Sequence, residues 1–443
     1  MVTSFLSESK RFAAVLKREE RLKNLIVSIK NKLQDNKGEI IYLGAQYSTP
    51  VVGFLVNILV MRYVDPETFG LYQSILLWGS YLSFLQMGVF NGLNRNLSYY
   101  KGAGRIHELQ TAASTGFVFS ILVSFIALLI VACISFSPIN DHSQVAIWAF
   151  LLLCLTAFTQ PMIIFFDTLY RTGQDFKKLG KFIAIDNSIY SANSLLIVFF
   201  GYIGFVIQAA IKVIVALSLR ACGKISFVNF KFSFQSFTDQ ISTGFPILLN
   251  SYLYTTFLIF DQFYIVRTFD RVELGYYNLT RLVLLVIPII PDSLTTVFYP
   301  KASAAYGKSG NQRNVLKPFF FKALEVNAIV LIPIILIVYF TIEPLVTNFL
   351  PKYVNGIEYA KISVIGGLGY IFVGPSVILG VLKKNSFNLI FLALLSFLTY
   401  GLYFLGMLTF SDIESLIWFK NILFVSYGFL MLVFVYSLIT IKD

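Results

Sequence analysis

Residues 62–72 read RYVDPETFGLY, and 205 residues further on, at 267–277, the chain reads RTFDRVELGYY. Both stretches fit R-x-x-D-x4-G-x-Y. One copy alone is an ordinary helix-start signal, since an aspartate ahead of a helix caps its first free N–H groups. Two copies, each following one apolar run and preceding another, mark a duplicated unit of about half the chain.

The runs around them set the class of protein. Of 443 residues, 57% are hydrophobic and 13% charged, with a mean hydropathy of +0.74. Soluble domains carry about 25% charged residues, so this composition belongs to a membrane protein. Apolar runs fall at about 40–62, 70–88, 112–136, 145–166, 181–201, 203–220, 240–265, 275–299, 319–342, 357–381, 386–409 and 415–440. Most match the roughly 20 residues that cross a bilayer core. The sequence therefore predicts an all-α integral membrane protein of about twelve spans. Six of them separate the two motif copies, an even number, so the halves are parallel repeats about an axis along the membrane normal. The predicted units are an N-terminal half over 39–221, a cytoplasmic linker over 222–239 and a C-terminal half over 240–443. Pro50, Pro246, Pro288, Pro291, Pro333 and Pro375 lie inside the runs and predict kinked or broken helices.

Charge gives the orientation. With the N-terminus inside, 27 of the 35 Lys and Arg residues fall on the cytoplasmic side, which places both termini there. The same distribution accounts for the net charge of +12 without a nucleic-acid partner. Residues 1–38 hold nine basic and four acidic residues, with apolar positions near helical spacing. They predict a basic amphipathic helix lying on the membrane surface, without the apolar core and cleavage site of a signal peptide. Cys133, Cys154 and Cys222 form no pairing pattern, and His107 and His142 make no metal site, so no cofactor is expected.

The stretch from Gly44 through Arg105, above all 62–72 followed by MGVFNGLNR at 87–95, resembles the Wzx-type polysaccharide biosynthesis proteins, O-antigen flippases of the MOP superfamily. The loop YRTGQDFKK at 170–178 is similar to that family's as well. The resemblance extends over roughly 40–440 and implies two six-helix lobes in a MATE-like V. It also implies export of undecaprenyl-diphosphate-linked oligosaccharides across a bacterial cytoplasmic membrane, with no enzymatic step. Membrane lipids, a coupling H+ or Na+ and other polysaccharide-assembly membrane proteins are the implied partners.

Such a cargo needs cations within the membrane and hydrogen-bonding walls, and intramembrane charge is costly enough that it faces a cavity or a partner. Asn278, Arg281, Leu285, Pro288 and Asp292 share one helical face. Arg281 is the leading diphosphate ligand, because a guanidinium fork pairs two phosphate oxygens; an arginine snorkelling to the interface is its competing reading. Asn250, Tyr254, Phe257 and Asp261 share another face. Asp261 is a candidate ion-coupling carboxylate or a structural partner of Arg267 or Arg281, and Asp292 a second ion-coupling candidate, or else a charge balance for Arg281 or a cap. In span one, Gln46, Pro50, Gly53 and Asn57 align as a polar stripe that lines a cavity or glues helices. Arg95, Lys212 and Lys322 are further cationic candidates, while Asp167 and Glu325 read as salt-bridge or cap residues. Two rival functions remain: an ion-coupled multidrug or organic-cation antiporter of the same superfamily, and a membrane glycosyltransferase or polymerase.

Overall fold

The computed structural model describes residues 37–136, 143–173, 175–223, 228–310, 312–382 and 384–440. The helix expected over 1–38 lies, but for its last two residues, outside them. The first half comprises α1 (Lys37–Tyr63), α2 (Pro66–Leu82), α3 (Val89–Gly102), α4 (Ile106–Ser135), α5 (Gln144–Gly173), α6 (Phe176–Ala192) and α7 (Leu195–Ala221). The second comprises α8 (Phe234–Leu258), α9 (Phe260–Thr268), α10 (Arg271–Val286), α11 (Ile289–Lys308), α12 (Lys317–Phe349), α13 (Ile357–Gly366), α14 (Gly369–Val373), α15 (Val377–Val381), α16 (Asn385–Phe404) and α17 (Ile413–Thr440).

Every predicted run is helical. Among the described residues, eight helical stretches are long and apolar enough to cross a membrane, or nine when α8 and α9, bent by 47° at Ile259, count as one. The runs at 70–88, 181–201 and 275–299 are carried by the shorter α2, α6 and α10, of 17, 17 and 16 residues. The breaks have local causes. After α2 the chain turns through Met87 and Gly88, both with positive φ, a conformation that glycine takes without penalty. Between α10 and α11 the helix is interrupted at Ile287 and Pro288, as the proline predicts. The tenth run is cut into α13, α14 and α15, with Pro375 in the break. The boundary expected near residue 202 falls instead at Asn193 and Ser194, and α7 kinks at Gly201, where φ is +54°.

Large apolar side chains face outward, as lipid contact requires: Phe199, Phe340, Phe397 and Leu405 are all exposed. Helix packing inside therefore rests on close contact and polar ties rather than on escape from water. On α4, Gly116, Ser120 and Ser124 recur every four residues and are buried, and a Cβ on Gly116 would meet Leu93 of α3 at 2.7 Å and Phe165 of α5 at 3.3 Å. Asn187 on α6 donates to Ser48 and Thr49 at 3.0 Å each and pins α6 to α1.

The two motif copies meet each other. α2 crosses α10, and a Cβ on Gly70 would stand 1.9 Å from the Arg271 carbonyl oxygen, while one on Gly275 would stand 1.9 Å from that of Pro66. Pro66 and Arg271 are themselves 205 residues apart, so the contact is its own mate under a twofold relation. A second seam joins α3 to α8, where a Cβ on Gly92 would meet the Gln240 carbonyl at 1.9 Å. Asp65 caps α2 by accepting from the Thr68 N–H at 2.9 Å. Burial works to raise the Asp65 carboxyl, but the Thr68 hydrogen bonds outweigh it and hold the pKa below the usual value.

Candidate functional site

The crossing of α2 and α10 brings polar residues of both halves around a central cavity of about 520 Å³. From the first half come Asn57, Tyr72, Gln73 and Tyr190, and from the second Tyr254, Gln262, Tyr277, Asn278, Arg281 and Lys420. The motif tyrosines Tyr72 and Tyr277, both buried, stand as repeat mates in its walls. Gln73 and Asn278, each one residue further on, are mates as well.

Arg281 is the centre of this arrangement. Its guanidinium is exposed to the cavity and donates to the Gln73 side-chain oxygen across the interface between the halves. It also borders a second cavity of about 490 Å³ within the first half, which shares Gln73, Leu76, Ile259, Gln262 and Arg281 with the central one. Beside it Asn278 is 3% exposed, and its Nδ2 has no hydrogen-bond partner among the described residues. A third cavity, also about 490 Å³, opens within the second half and shares Tyr254 and Tyr370 with the centre.

Asp261 is fully buried behind the wall. It accepts from the Tyr277 hydroxyl and from the Lys420 ammonium, and Lys420 also donates to the Leu258 carbonyl at 2.7 Å. Its partner is thus Lys420 of α17, not Arg267 or Arg281. The pairing follows from the α8–α9 bend, after which Asp261 lies in the first turn of α9 and points toward α17. A buried carboxylate held by one ammonium and one phenol is tolerated because both charges are matched and hydrogen-bonded.

The other sequence candidates divide by position. Asn57 reaches the central cavity, its amide also donating to the Gly53 carbonyl at 2.9 Å. Gln46 does not: it is exposed, and 11 residues back along α1 it sits about 16 Å away along the axis, at a different depth on the same stripe. Asn250 lines the third cavity and Tyr254 borders two. Lys212 lies behind the wall with its ammonium 4.2 Å from the ring centre of Tyr190. Arg95 is exposed on α3 and lines none of these cavities. Lys322 is exposed and paired with Glu325 at 3.2 Å, the ion-pair role expected of that carboxylate. Asp292 lies in α11, but its side chain is outside the described residues.

Sequence reasoning missed three groups. Gln73 was findable as the repeat mate of Asn278, and Lys420 as an ammonium deep within a span. Arg220, one of the 27 basic residues counted on the cytoplasmic side, is 4% exposed and bridges Asp167 at 2.6 Å and Asp186 at 2.7 Å, tying α7 to α5 and α6. Asp167 is thereby the salt-bridge residue expected.

The family model described as polysaccharide biosynthesis protein matches residues 36–305, more than half of the chain. The chain belongs to the polysaccharide biosynthesis protein family. None of the curated protein sequences matches it. Solved structures show what this polysaccharide biosynthesis protein folds like. One is the inward-facing conformation of a multidrug resistance MATE family transporter of the MOP superfamily, with TM-score 0.69, 12% identity, and 90% of this chain and 98% of that chain covered. The outward-facing conformation of such a transporter gives 0.60 at 15% identity, covering 91% and 94%. A MOP superfamily transporter from Pyrococcus furiosus, described by the reverse polarity of its binding pocket, gives 0.61 at 13% identity, covering 92% and 95%. Family and fold together make this a multi-pass membrane protein of the polysaccharide biosynthesis family with a MATE-like architecture.

Proposed function

We propose that the protein is a flippase, not an enzyme. It carries undecaprenyl-diphosphate-linked oligosaccharides from the cytoplasmic to the outer leaflet of the bacterial cytoplasmic membrane for cell-surface polysaccharide synthesis. The observation that carries the reading is the charge of the cavities. Among the described lining residues of all three, Arg281 and Lys420 are charged and no carboxylate is present. A cavity of that sign suits a diphosphate and disfavours the organic cations of an antiporter. Nor do the described lining residues include the paired acid and base that glycosyl transfer requires.

In this mechanism Arg281 grips the diphosphate, with the Nδ2 of Asn278 and the amide of Asn57 as neighbouring donors. The polyprenyl tail stays in lipid while residues 39–221 and 240–443 rock about the twofold axis, joined by 222–239 on the cytoplasmic side with both termini. The basic segment 1–38 rests on the anionic leaflet. Asp261 couples transport to H+ or Na+: neutralising its carboxylate releases Lys420, whose side chain already borders the cavity, toward the substrate. Lys212 adds positive potential from behind Tyr190. Gln46, Arg95 and Lys322 line none of the three cavities and serve entry or topology rather than grip.

The test is uptake of a defined undecaprenyl-diphosphate oligosaccharide into proteoliposomes, read as protection from an external glycosidase. Protein-dependent protection that falls about 10-fold or more in Arg281→Ala supports the reading, since charge-assisted hydrogen bonds are worth about 1.5–3 kcal/mol. Absence of protection together with ion-driven efflux of organic cations would refute it.

A further inference from the structure

The three joined cavities are not alike. The one inside the first half has no aromatic ring among its described lining residues, which are mostly aliphatic and amide. The one inside the second half is lined by Tyr254, Tyr299, Tyr370 and Tyr427, with Asn250, Asn388, Ser251, Thr255 and Ser376 between them and no charged side chain described. Its amides are held in fixed order. The Tyr427 hydroxyl donates to Asn388 Oδ1 at 2.5 Å, and Asn388 Nδ2 donates to Asn250 Oδ1 at 3.4 Å. This chain crosses from α17 through α16 to α8, so three helices fix the direction in which the Asn250 amide presents its own donors.

Ring faces beside oriented amides and hydroxyls form a wall for a molecule that has apolar C–H faces and hydroxyl edges at once, which is a pyranose. The absence of a counter-charge among the described residues makes the same wall hostile to a carboxylate, because an unpaired charge taken out of water is strongly penalised. The geometry points to the second-half cavity as a saccharide subsite, selective for uncharged sugars and occupied by the glycan next to the diphosphate held at Arg281. Tyr254 and Tyr370 border both spaces, so a headgroup passes from one to the other without leaving the protein. The inference deepens the flippase reading and rests on it for the position of the diphosphate.

Binding of three tritiated lipids to the full-length protein in nanodiscs tests it: bare undecaprenyl diphosphate, the same lipid with a neutral disaccharide, and the same lipid with a uronic-acid disaccharide. The neutral lipid is expected to bind about tenfold more tightly than the bare one, the worth of one or two well-made hydrogen bonds. The uronic lipid is expected to bind no better than the bare one. Asn388→Ala should erase the neutral lipid's advantage and leave bare-lipid binding unchanged, whereas Arg281→Ala should weaken all three. Should Asn388→Ala lose bare-lipid binding through misfolding, Asn250→Ser takes its place with the same expectation. Equal binding of the neutral and uronic lipids, or a neutral advantage that survives both substitutions, would overturn the subsite. Failure of the wild type to bind the bare lipid would instead overturn the diphosphate reading at Arg281.

Discussion

Replacing Gly275 by alanine should alter the protein far from any ligand. A Cβ there would lie 1.9 Å from the Pro66 carbonyl oxygen, where 3.0 Å is already closer than side-chain carbons come. The obstacle is backbone at the first turn of α2, so no side chain can step aside, and α2 and α10 must part by about 1 Å or more. Overpacking of this kind costs about 1–3 kcal/mol. If the halves alternate between two arrangements, as the proposed mechanism requires, the penalty falls on the arrangement in which this crossing is closed. It shifts the population by about 5- to 150-fold toward the arrangement in which the crossing is open.

The shift is measurable by spin-label distances between Glu67→Cys and Lys352→Cys, exposed positions near the crossing on opposite halves, after Cys133, Cys154 and Cys222 are replaced by serine. Gly275→Ala should lengthen the distance distribution and lower transport. Gly70→Ala, blocked in the same way by the Arg271 carbonyl, should do the same. Gly53→Ala, whose Cβ would have nothing within 4 Å, is the control and should change neither. A folded Gly275→Ala protein with wild-type distances and wild-type transport would refute the closed crossing and the twofold argument built on it.

Two further outcomes follow from buried or capping carboxylates. Lys420→Met leaves the Asp261 carboxylate buried without its cation and should destabilise the protein by about 3–5 kcal/mol, seen as a lower detergent Tm. Adding Asp261→Asn should restore much of that loss, and a double variant no more stable than Lys420→Met would show that the pair is not coupled. Asp65→Ala removes the cap of α2 and should cost about 1 kcal/mol at neutral pH. Because the folded-state pKa of Asp65 is depressed, its contribution is present above the unfolded value and lost as pH falls through the lowered folded one. The wild type and Asp65→Ala should therefore converge in stability in acid, and a gap unchanged down to pH 2 would contradict the cap.

The fold was legible because lipid forces its grammar on the chain: every crossing must be long, apolar and helical, so the apolar runs stood out and fall on helices, eight or nine of which among the described residues are long and apolar enough to cross. The breaks at Pro288 and Pro375 were legible for the same reason, since a missing N–H has a fixed position. The boundary near residue 202 was misplaced because Gly201 interrupts a helix without ending it, and hydropathy does not distinguish a kink from a turn. In the site, Arg281 could be read from the cost of its charge, and Asn57, Asn278 and Tyr254 from their spacing. What spacing along one helix cannot give is depth and partner. Gln46 shares its stripe with Asn57 but stands beyond the cavity, and Asp261 found Lys420, which is 159 residues away in the chain.

The repeat explains where function had to arise. A twofold crossing places equivalent residues face to face, and the mates Tyr72 with Tyr277 and Gln73 with Asn278 supply walls that are alike on both sides. Such walls have no direction, whereas a polyprenyl diphosphate is a polar head with one charged end. Direction enters at the next mates on the cavity wall, Leu76 and Arg281, 205 residues apart and both bordering the central and first-half cavities. One position carries an aliphatic side chain and the other a guanidinium that reaches across to Gln73. The same asymmetry separates the flanking cavities, aliphatic in the first half and rich in tyrosine in the second. In the proposed mechanism a symmetric frame supplies the hinge and its departures from symmetry supply the site, so loss of Arg281 should weaken grip about 10-fold or more while leaving the rocking of the halves intact.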